Sequence, residues 1–242
     1  EKFAQKMDPD TPKILYRSGM HWKHLAKKYN ERLNRFERRT GLVIDKERKG
    51  YEHSQKAEEL ADAIIVMGDN YTKQTYERRC DVPIHNVYIS CPPSVVNNNP
   101  KKRDYNEIGT NFLWFGGSGP ILKGLDLVLE AFSGLDKYDL YVCGPFEEND
   151  TFVEAYDEEL YCTPNIHNIG WINYGSKNFN NILEKCGFLI YPSASEGSSG
   201  AFATCMHKGL IPIITEEVRT DTDGWGISLP DEEIDTIRDV IK

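Results

Sequence analysis

One carboxylate stands alone among small residues in the stretch YPSASEGSSG, at positions 191–200. The apolar segment CGFLI precedes this stretch and the helix-like segment AFATCMHKG follows it, so Glu196 lies where a strand gives way to a helix. Hydroxyls at Ser198 and Ser199 can cap such a helix, and the N–H groups of Gly200 and Ala201 can bind a phosphate. Taken alone, Glu196 is most simply interpreted as a carboxylate that gains a little from the helix dipole.

A second loop combines glycines with one cation. Gly117, Ser118 and Gly119 follow the predicted strand NFLWF, and Lys123 comes just before a predicted helix. Glycines let a ligand approach the backbone, and a lysine at a helix N-terminus opposes the dipole, which favours an anionic partner for it. The loop is not a Walker A motif, because Leu125 stands where lysine is required. A plain glycine turn with a solvated lysine is the alternative.

Two further loops follow predicted strands. Gly144 and Pro145 come after DLYVC, where a Gly-Pro pair is also common turn punctuation. Gly170 and Trp171 come after IHNI; the indole could flank a nucleobase, although partial burial between sheet and helix is the simpler expectation. Ligands of open parallel sheets bind outside the carboxyl ends of the strands, so all four loops are expected at one edge.

The elements that must position these loops alternate regularly. From residue 108 to residue 242, short apolar strands alternate with helices, which predicts a doubly wound α/β domain with a parallel sheet. Residues 1–107 predict a partial α/β domain with three strands and the long helix HWKHLAKKYNERLNRFERR. The polar stretch PPSVVNNNPKKRDYNEIGTN predicts a linker.

Composition restricts the partners. The chain of 242 residues is 39% hydrophobic and 28% charged, as globular proteins are, and no apolar run approaches the ~20 residues that span a bilayer. A net charge of −9 argues against a nucleic-acid partner. A basic cluster in the long helix is most simply a solvated face, and an acidic membrane surface or phosphorylated acceptor is the sharper interpretation. Its members are Lys23, Lys27, Lys28, Arg32, Arg35, Arg38 and Arg39.

The six cysteines and six histidines lack the spacing of a disulfide framework or a metal site. Several cysteines lie inside apolar runs such as LYVCGP, which favours buried reduced thiols and a cytoplasmic setting. We therefore expect no metal, and no cofactor.

Together these loops resemble the nucleotide-binding half of retaining GT-B-fold glycosyltransferases, the glycosyl transferases group 1 family. The similar segments are FLWFGG…LKGLDLVLEAF, LYVCGP, IHNIGW and YPSASEGSSGAFATCMHKGLIPII, which lie within roughly residues 111–230. More weakly, ADAIIVMGDNYTKQTYERR…PIHNVYIS looks like the end of the family's N-terminal domain. The resemblance implies a GT-B-like fold: a Rossmann-like nucleotide-sugar domain at 108–242, preceded by a partial acceptor-side domain at 1–107.

The resemblance also implies roles. Glu196 would orient the donor sugar, while Lys123 and the N–H groups near Ser198–Ala201 would stabilise the charge that develops on the leaving diphosphate, without a metal. The glycine loop after NFLWF, together with Gly144, Pro145, Gly170 and Trp171, would line the donor pocket. The acceptor would enter from the N-terminal domain, and closure would exclude water.

Two positions depart from the family pattern. The second carboxylate of the family's E-x7-E motif, which commonly holds the ribose, falls at Thr204, and a threonine offers a single hydroxyl. Ser118 stands where the family often carries arginine.

These observations favour a cytoplasmic glycosyltransferase of glycan biosynthesis, with peripheral membrane contact as an option. It would transfer a hexose, with retention, from a UDP- or GDP-linked donor to a glycan, lipid-linked or small-molecule acceptor. Two alternatives stay open: a nucleotide-sugar epimerase of the same fold, and a degenerate, non-catalytic sugar-nucleotide- or partner-binding module, which Thr204 and Ser118 support.

Overall fold

A computed structural model describes residues 4–44, 52–91, 103–218 and 224–242. We refer to residues 4–91 as the N-terminal part and to residues 103–242 as the C-terminal part. Each part contains one parallel sheet covered by helices, so the predicted α/β class is confirmed. Within the described residues, no helix is both long and apolar enough to cross a membrane.

The N-terminal part is built on a three-stranded parallel sheet in the order β1-β2-β3. On the central strand, Ile64 pairs with Leu15 on one side and Ile84 on the other, and this buried residue anchors a small core. The three predicted strands are thus present. The elements are β1 (Ile14–Arg17), α1 (Trp22–Thr40), α2 (Glu52–Glu59), β2 (Ala63–Met67), α3 (Asn70–Glu77) and β3 (Ile84–Val87).

The C-terminal part is built on a six-stranded parallel sheet in the order β6-β5-β4-β7-β8-β9. Its strands are β4 (Asn111–Phe115), β5 (Asp139–Cys143), β6 (Ile166–Gly170), β7 (Phe188–Tyr191), β8 (Ile211–Ile214) and β9 (Ile227–Ser228). Its helices are α4 (Tyr105–Ile108), α5 (Leu125–Phe132), α6 (Asp150–Ala155), α7 (Asp157–Tyr161), α8 (Lys177–Lys185), α9 (Gly200–His207) and α10 (Ile234–Ile241).

The order of the strands decides where a ligand can bind. The chain first moves outward from β4 through β5 to β6, then returns to the other side of β4 and continues through β7, β8 and β9. The direction therefore reverses between β4 and β7, and loops that leave a parallel sheet in opposite directions open a crevice at such a point. The loop after β4 carries Lys123, and the loop after β7 carries Glu196.

Helix α1 does not present the simple solvated face expected for its basic residues. Lys28, Arg32, Arg35 and Arg39 form ion pairs with carboxylates of the C-terminal part, and the Arg32 side chain is fully buried. The expectation was wrong because sequence spacing cannot reveal that a second, acidic surface lies against this face. Lys23, Lys27 and Arg38 are the exposed members.

Residues 92–102 of the predicted linker lie outside the described residues, and the description begins again at Arg103. The Arg103 guanidinium donates hydrogen bonds to the carbonyls of Leu183 at 2.9 Å and Lys208 at 2.7 Å, and it also contacts the Cys186 carbonyl. The end of this stretch is therefore fixed to the C-terminal part. The division into domains at residue 107 stays a prediction.

All six cysteines are free. Cys91, Cys143, Cys186 and Cys205 are buried as predicted, whereas Cys80 is partly exposed and Cys162 is exposed. Burial raises the pKa of Cys143 to about 12, so this thiol stays protonated and inert.

Candidate functional site

The four predicted loops meet in a cleft of ≈ 510 Å³ at the carboxyl edge of the six-stranded sheet. Residues of all four loops line it, as the rule for parallel sheets predicts. The predicted residues that it brings together are Gly117, Ser118, Lys123, Gly144, Pro145, Trp171, Glu196, Ser198, Ser199, Gly200 and Ala201.

The centre of this cleft is a carboxylate–ammonium pair. Lys123 Nζ contacts Glu196 Oε1, and both side chains are about nine-tenths buried. The same Oε1 accepts hydrogen bonds from the Tyr191 hydroxyl at 2.9 Å and from Ser193 Oγ at 3.1 Å. Three donors therefore hold the orientation of this carboxylate, with its charge directed at the one cation predicted for the diphosphate.

The backbone around Lys123 allows only glycine on either side of a tight turn. Gly119 has a φ of 88°, and its carbonyl accepts the Lys123 N–H at 3.0 Å. Gly124 has a φ of 74°, and a Cβ there would lie 2.4 Å from the Pro192 carbonyl oxygen. The turn can therefore approach the Glu196 loop closely enough for the lysine to reach the carboxylate.

Helix α9 begins at the wall of the cleft. Ser199 is its N-cap, and the Ser199 hydroxyl accepts the N–H of Phe202 at 3.3 Å. The first N–H groups of a helix have no partner within the helix, so Gly200 and Ala201 line the cleft with donors and with the positive end of a dipole. The wall therefore favours an anion, as Lys123 does.

Aromatic rings form the outer wall. Trp171 is 69% exposed and Tyr174 is 40% exposed, and both line the cleft. The expectation that Trp171 is partly buried between sheet and helix was wrong. Gly170 ends β6 with a φ of 68°, and the indole that follows lies beyond the sheet edge and outside the core.

Three of the predicted residues do not line the cleft. Gly119 and Gly170 shape the turns behind it: the Gly170 carbonyl accepts the Gly144 N–H at 2.9 Å. Thr204 is fully buried one turn into α9, where its hydroxyl donates to the Gly200 carbonyl at 2.7 Å. The Tyr174 hydroxyl contacts the Thr204 hydroxyl and also donates to the Gly200 carbonyl at 2.8 Å. Because Tyr174 lines the cleft, it separates Thr204 from it.

The sequence reasoning missed several side chains of the site, among them Tyr191, Ser193 and Tyr174. Tyr191, whose hydroxyl donates to Glu196, is the last residue of β7 and the first of YPSASEGSSG. Its position at the end of a strand could therefore have indicated that it belongs to the site. Tyr174 lies in the loop between β6 and α8, without a motif around it. Only the contact with α9 shows that it belongs to the site.

One cluster within the described ranges could be considered for a metal: ligand atoms of His21, Glu58 and Cys80 lie within 4.8 Å of one another. His21 Nδ1 accepts the Lys23 N–H at 3.1 Å, and His21 Nε2 lies 3.2 Å from Glu58 Oε2. Burial raises the pKa of the Cys80 thiol. Within this cluster His21 and Glu58 are hydrogen-bonded to each other.

Comparisons with known proteins bear on the fold. No protein-family model matches the chain, and no curated protein sequence matches it. Among solved structures, sucrose-phosphate synthase from Thermosynechococcus elongatus has a TM-score of 0.69 at 12% identity, covering 99% of this chain and 59% of that one. TarM has a TM-score of 0.68 at 13% identity, covering 99% of this chain and 44% of that one.

A third similar structure is HepE of Anabaena in complex with UDP and glucose, with a TM-score of 0.63 at 11% identity. The match covers 96% of this chain and 61% of HepE. This chain thus spans only part of the length of each of these structures. The chain has the GT-B-like fold of these glycosyltransferases.

Proposed function

We propose that this chain is the nucleotide-sugar-binding portion of a metal-independent, retaining glycosyltransferase. The observation that supports the proposal is the Lys123–Glu196 pair in the cleft between β4 and β7, which the N-terminus of α9 also lines. An ammonium and a helix N-terminus face a space lined on its outer side by Trp171 and Tyr174. That arrangement suits a diphosphate with a planar base on one side and a sugar on the other.

Under this proposal, each wall of the cleft suits one part of the donor. The diphosphate binds between Lys123 Nζ and the first N–H groups of α9, and displaces the ammonium from Glu196. The base lies against Trp171, and hydroxyls of the sugar donate to Glu196. The bond between the anomeric carbon and the β-phosphate oxygen breaks, and its electron pair stays on the phosphate, where the cation and the helix end stabilise the charge.

The acceptor approaches from the N-terminal part. A second cavity of ≈ 280 Å³ lies on that side, and Glu196 lines both cavities. Arg17, Ser18 and Trp22 contribute polar and aromatic groups to this second cavity. An acceptor hydroxyl held there forms the new bond to the anomeric carbon, and its proton passes to the departing diphosphate, on the face that the leaving group vacates.

Nucleotide binding is the first test. A thermal-shift panel with UDP, GDP, ADP and CDP identifies the base, because a ligand that binds only the folded chain raises its stability with concentration. HepE was solved with UDP, which makes UDP the first choice. The absence of any shift up to millimolar nucleotide would contradict the proposal.

Release of UDP from UDP-glucose and UDP-N-acetylglucosamine then tests the chemistry. We expect Lys123→Ala and Glu196→Ala to lower the rate of release by ~100-fold, since each removes a group that acts in the transition state. Rates equal to wild type in both variants would overturn the assignment of the site. Conversion of the donor into an epimer, seen by NMR, would favour the epimerase alternative.

A binding module without catalysis is the second candidate. It is favoured by Thr204, which places a buried hydroxyl behind Tyr174 where the resemblance implies a carboxylate for the ribose. Such a module would bind a nucleotide and show no release from any donor, and the two measurements above separate the candidates.

A further inference from the structure

Glu217 is a carboxylate of the C-terminal part that is almost completely buried, with 4% of its surface exposed. It lies just beyond β8, in a short 3-10 helix at Glu216–Val218. Its side chain points into the N-terminal part: Oε2 lies 2.7 Å from His24 Nε2, and Oε1 lies 2.8 Å from Lys28 Nζ. The Tyr71 hydroxyl also donates to Oε1, at 3.1 Å.

These partners come from two separate helices. His24 and Lys28 lie one turn apart on α1, and Tyr71 lies in the first turn of α3. Within the described residues, Glu217 thus joins both helices to the C-terminal part through a single carboxylate. No role in donor binding accounts for it, since it lines neither of the two cavities that meet at Glu196.

The backbone of Glu217 reaches the proposed catalytic carboxylate directly. The Glu217 carbonyl accepts the N–H of Glu196 at 3.1 Å. Two residues earlier, Thr215 Oγ1 donates to the Ser193 carbonyl at 2.6 Å. Two hydrogen bonds therefore join the segment after β8 to the loop after β7, one at Ser193 and one at Glu196 itself.

The charge of Glu217 is stabilised where it lies. Burial alone would raise the pKa of its carboxyl, but hydrogen bonds from His24 and Lys28, and the charges of both, outweigh burial and lower the pKa. Conversely, burial and the nearby Glu217 charge raise the pKa of Tyr71 to about 12, so the phenol stays a donor. An ionised acceptor shared by several donors has one favourable position, which fixes the backbone that carries it.

We propose that Glu217 is a positioning residue. Contacts of its side chain with α1 and α3 hold its backbone in place, and its carbonyl then positions Glu196 by accepting the Glu196 N–H. The inference rests on the proposed function for the chemistry of Glu196. The contacts themselves are independent of it. When the N-terminal part docks, its three donors fix the side chain of Glu217, and the carbonyl then holds the catalytic loop. Glu217 touches neither donor nor acceptor.

Amide hydrogen exchange at Glu196, followed by NMR in the ligand-free chain, tests the coupling without any substrate. In Glu217→Gln the amide keeps the size of the side chain but loses its charge, so the shared acceptor weakens. We expect exchange at Glu196 to become about tenfold faster, because the hydrogen bond to Glu217 opens more often. Tyr71→Phe, which removes one donor and keeps the carboxylate, is expected to give a smaller acceleration of two- to threefold.

Glu232→Gln is the matched control. Glu232 also joins the two parts, because its Oε2 lies 2.9 Å from the Arg32 guanidinium and 3.3 Å from the Arg35 guanidinium. It makes no hydrogen bond to Glu196. A purely structural role would make Glu217→Gln and Glu232→Gln equivalent. The proposal expects faster exchange at Glu196 in the first variant only, at matched thermal stability.

Kinetics provide a second readout. For Glu217→Gln, we expect the kcat for release of UDP from UDP-glucose to fall about tenfold. The dissociation constant of UDP should stay within about twofold of wild type, because a misplaced Glu196 affects the reaction and not the binding of the nucleotide. Wild-type rates of exchange at Glu196 in both Glu217→Gln and Tyr71→Phe, or equal acceleration in Glu232→Gln, would overturn the proposal. Absence of nucleotide binding by the wild type would instead contradict the proposed function and leave the exchange result to stand alone.

Discussion

At the scale of single residues, the ligand-free site is internally neutralised. Lys123 and Glu196 contact each other, so the cation proposed for the diphosphate and the carboxylate proposed for the sugar neutralise each other. Under the proposed function we expect a donor to separate them, because it brings an anion for the lysine and hydroxyls for the glutamate. The pair therefore keeps two buried charges compensated until the ligand replaces both partners.

This competition predicts opposite effects of two substitutions on the affinity for UDP. Glu196→Gln removes the competing charge, and we expect UDP to bind a few-fold more tightly. Lys123→Met removes the cation, and we expect binding at least tenfold weaker, equivalent to ~1.4 kcal/mol. Isothermal titration of both variants with UDP measures the difference. Weaker binding in both would show that Glu196 supports the diphosphate and does not compete with it.

Trp171 permits a second prediction, because the chain contains a matched control. Trp171 and Trp225 are 69% and 75% exposed, and only Trp171 lines the cleft. We expect Trp171→Ala to weaken UDP binding by about tenfold through the loss of contact with the base, with little change in stability.

Trp225→Ala is expected to leave the affinity for UDP unchanged. The same titrations with inorganic pyrophosphate distinguish the base from the phosphates, since pyrophosphate has no base to lose. Equal weakening of UDP and pyrophosphate in Trp171→Ala would argue that the indole does not contact the base.

At the scale of elements, the loop after β7 is held against the N-terminal part by its backbone. The Met20 N–H donates to the Glu196 carbonyl at 3.0 Å, and Thr72 Oγ1 donates to the Gly197 carbonyl at 3.2 Å. This approach requires a glycine at position 197, since a Cβ there would lie 2.5 Å from the Cα of Gly19. The Glu-Gly pair thus serves the docking of the two parts as well as the proposed chemistry.

Gly197→Ala is therefore expected to destabilise the fold. The added methyl group meets backbone that cannot rotate away, and overpacking of this kind typically costs ~1–3 kcal/mol. Urea unfolding measures the change. Gly117→Ala is the control, because Gly117 is exposed and a Cβ there meets nothing within 4 Å. Equal stabilities of the two variants would show that the backbone contact at Gly197 relaxes without cost.

At the scale of the whole molecule, two glutamates are held by polar partners: Glu217 joins the two parts, and the partly buried Glu58 lies within the N-terminal part. The pKa of Glu58 resembles that of Glu217: burial would raise it, but hydrogen bonds, with the one from His21 first, and the nearby Arg17 lower it. A carboxyl whose folded pKa is lowered contributes stability that is present above its unfolded pKa. That stability is lost as the pH falls through the folded value.

We accordingly expect the free energy of unfolding to fall as the pH decreases below about 4.5, the ordinary pKa of glutamate. Urea unfolding between pH 6 and pH 3 measures this dependence. Glu217→Gln is expected to be less stable at pH 6 and to lose less on acidification, because one of the groups that takes up a proton is gone. Parallel curves for wild type and variant would contradict the assignment of a lowered pKa to Glu217.

Much of the architecture was accessible from the sequence. Alternation of short apolar strands with helices predicted the parallel sheet, and the rule for strand ends predicted that the loops carrying Lys123, Gly144, Trp171 and Glu196 converge. Both inferences depend on local patterns and on a topology that such patterns strongly restrict. The fold class and the positions of most site loops were therefore determined by the sequence itself.

Contacts between segments far apart in the chain were decided by the tertiary structure alone. Nothing in the sequence around Arg32 or Glu217 indicates their partners, which lie up to 200 residues away. The same holds for Tyr174, whose contact with α9 separates Thr204 from the cleft. Spacing along the chain encodes which face of an element is apolar. It does not encode which other element covers that face, because the partner is selected by packing and by the cost of leaving a buried charge uncompensated.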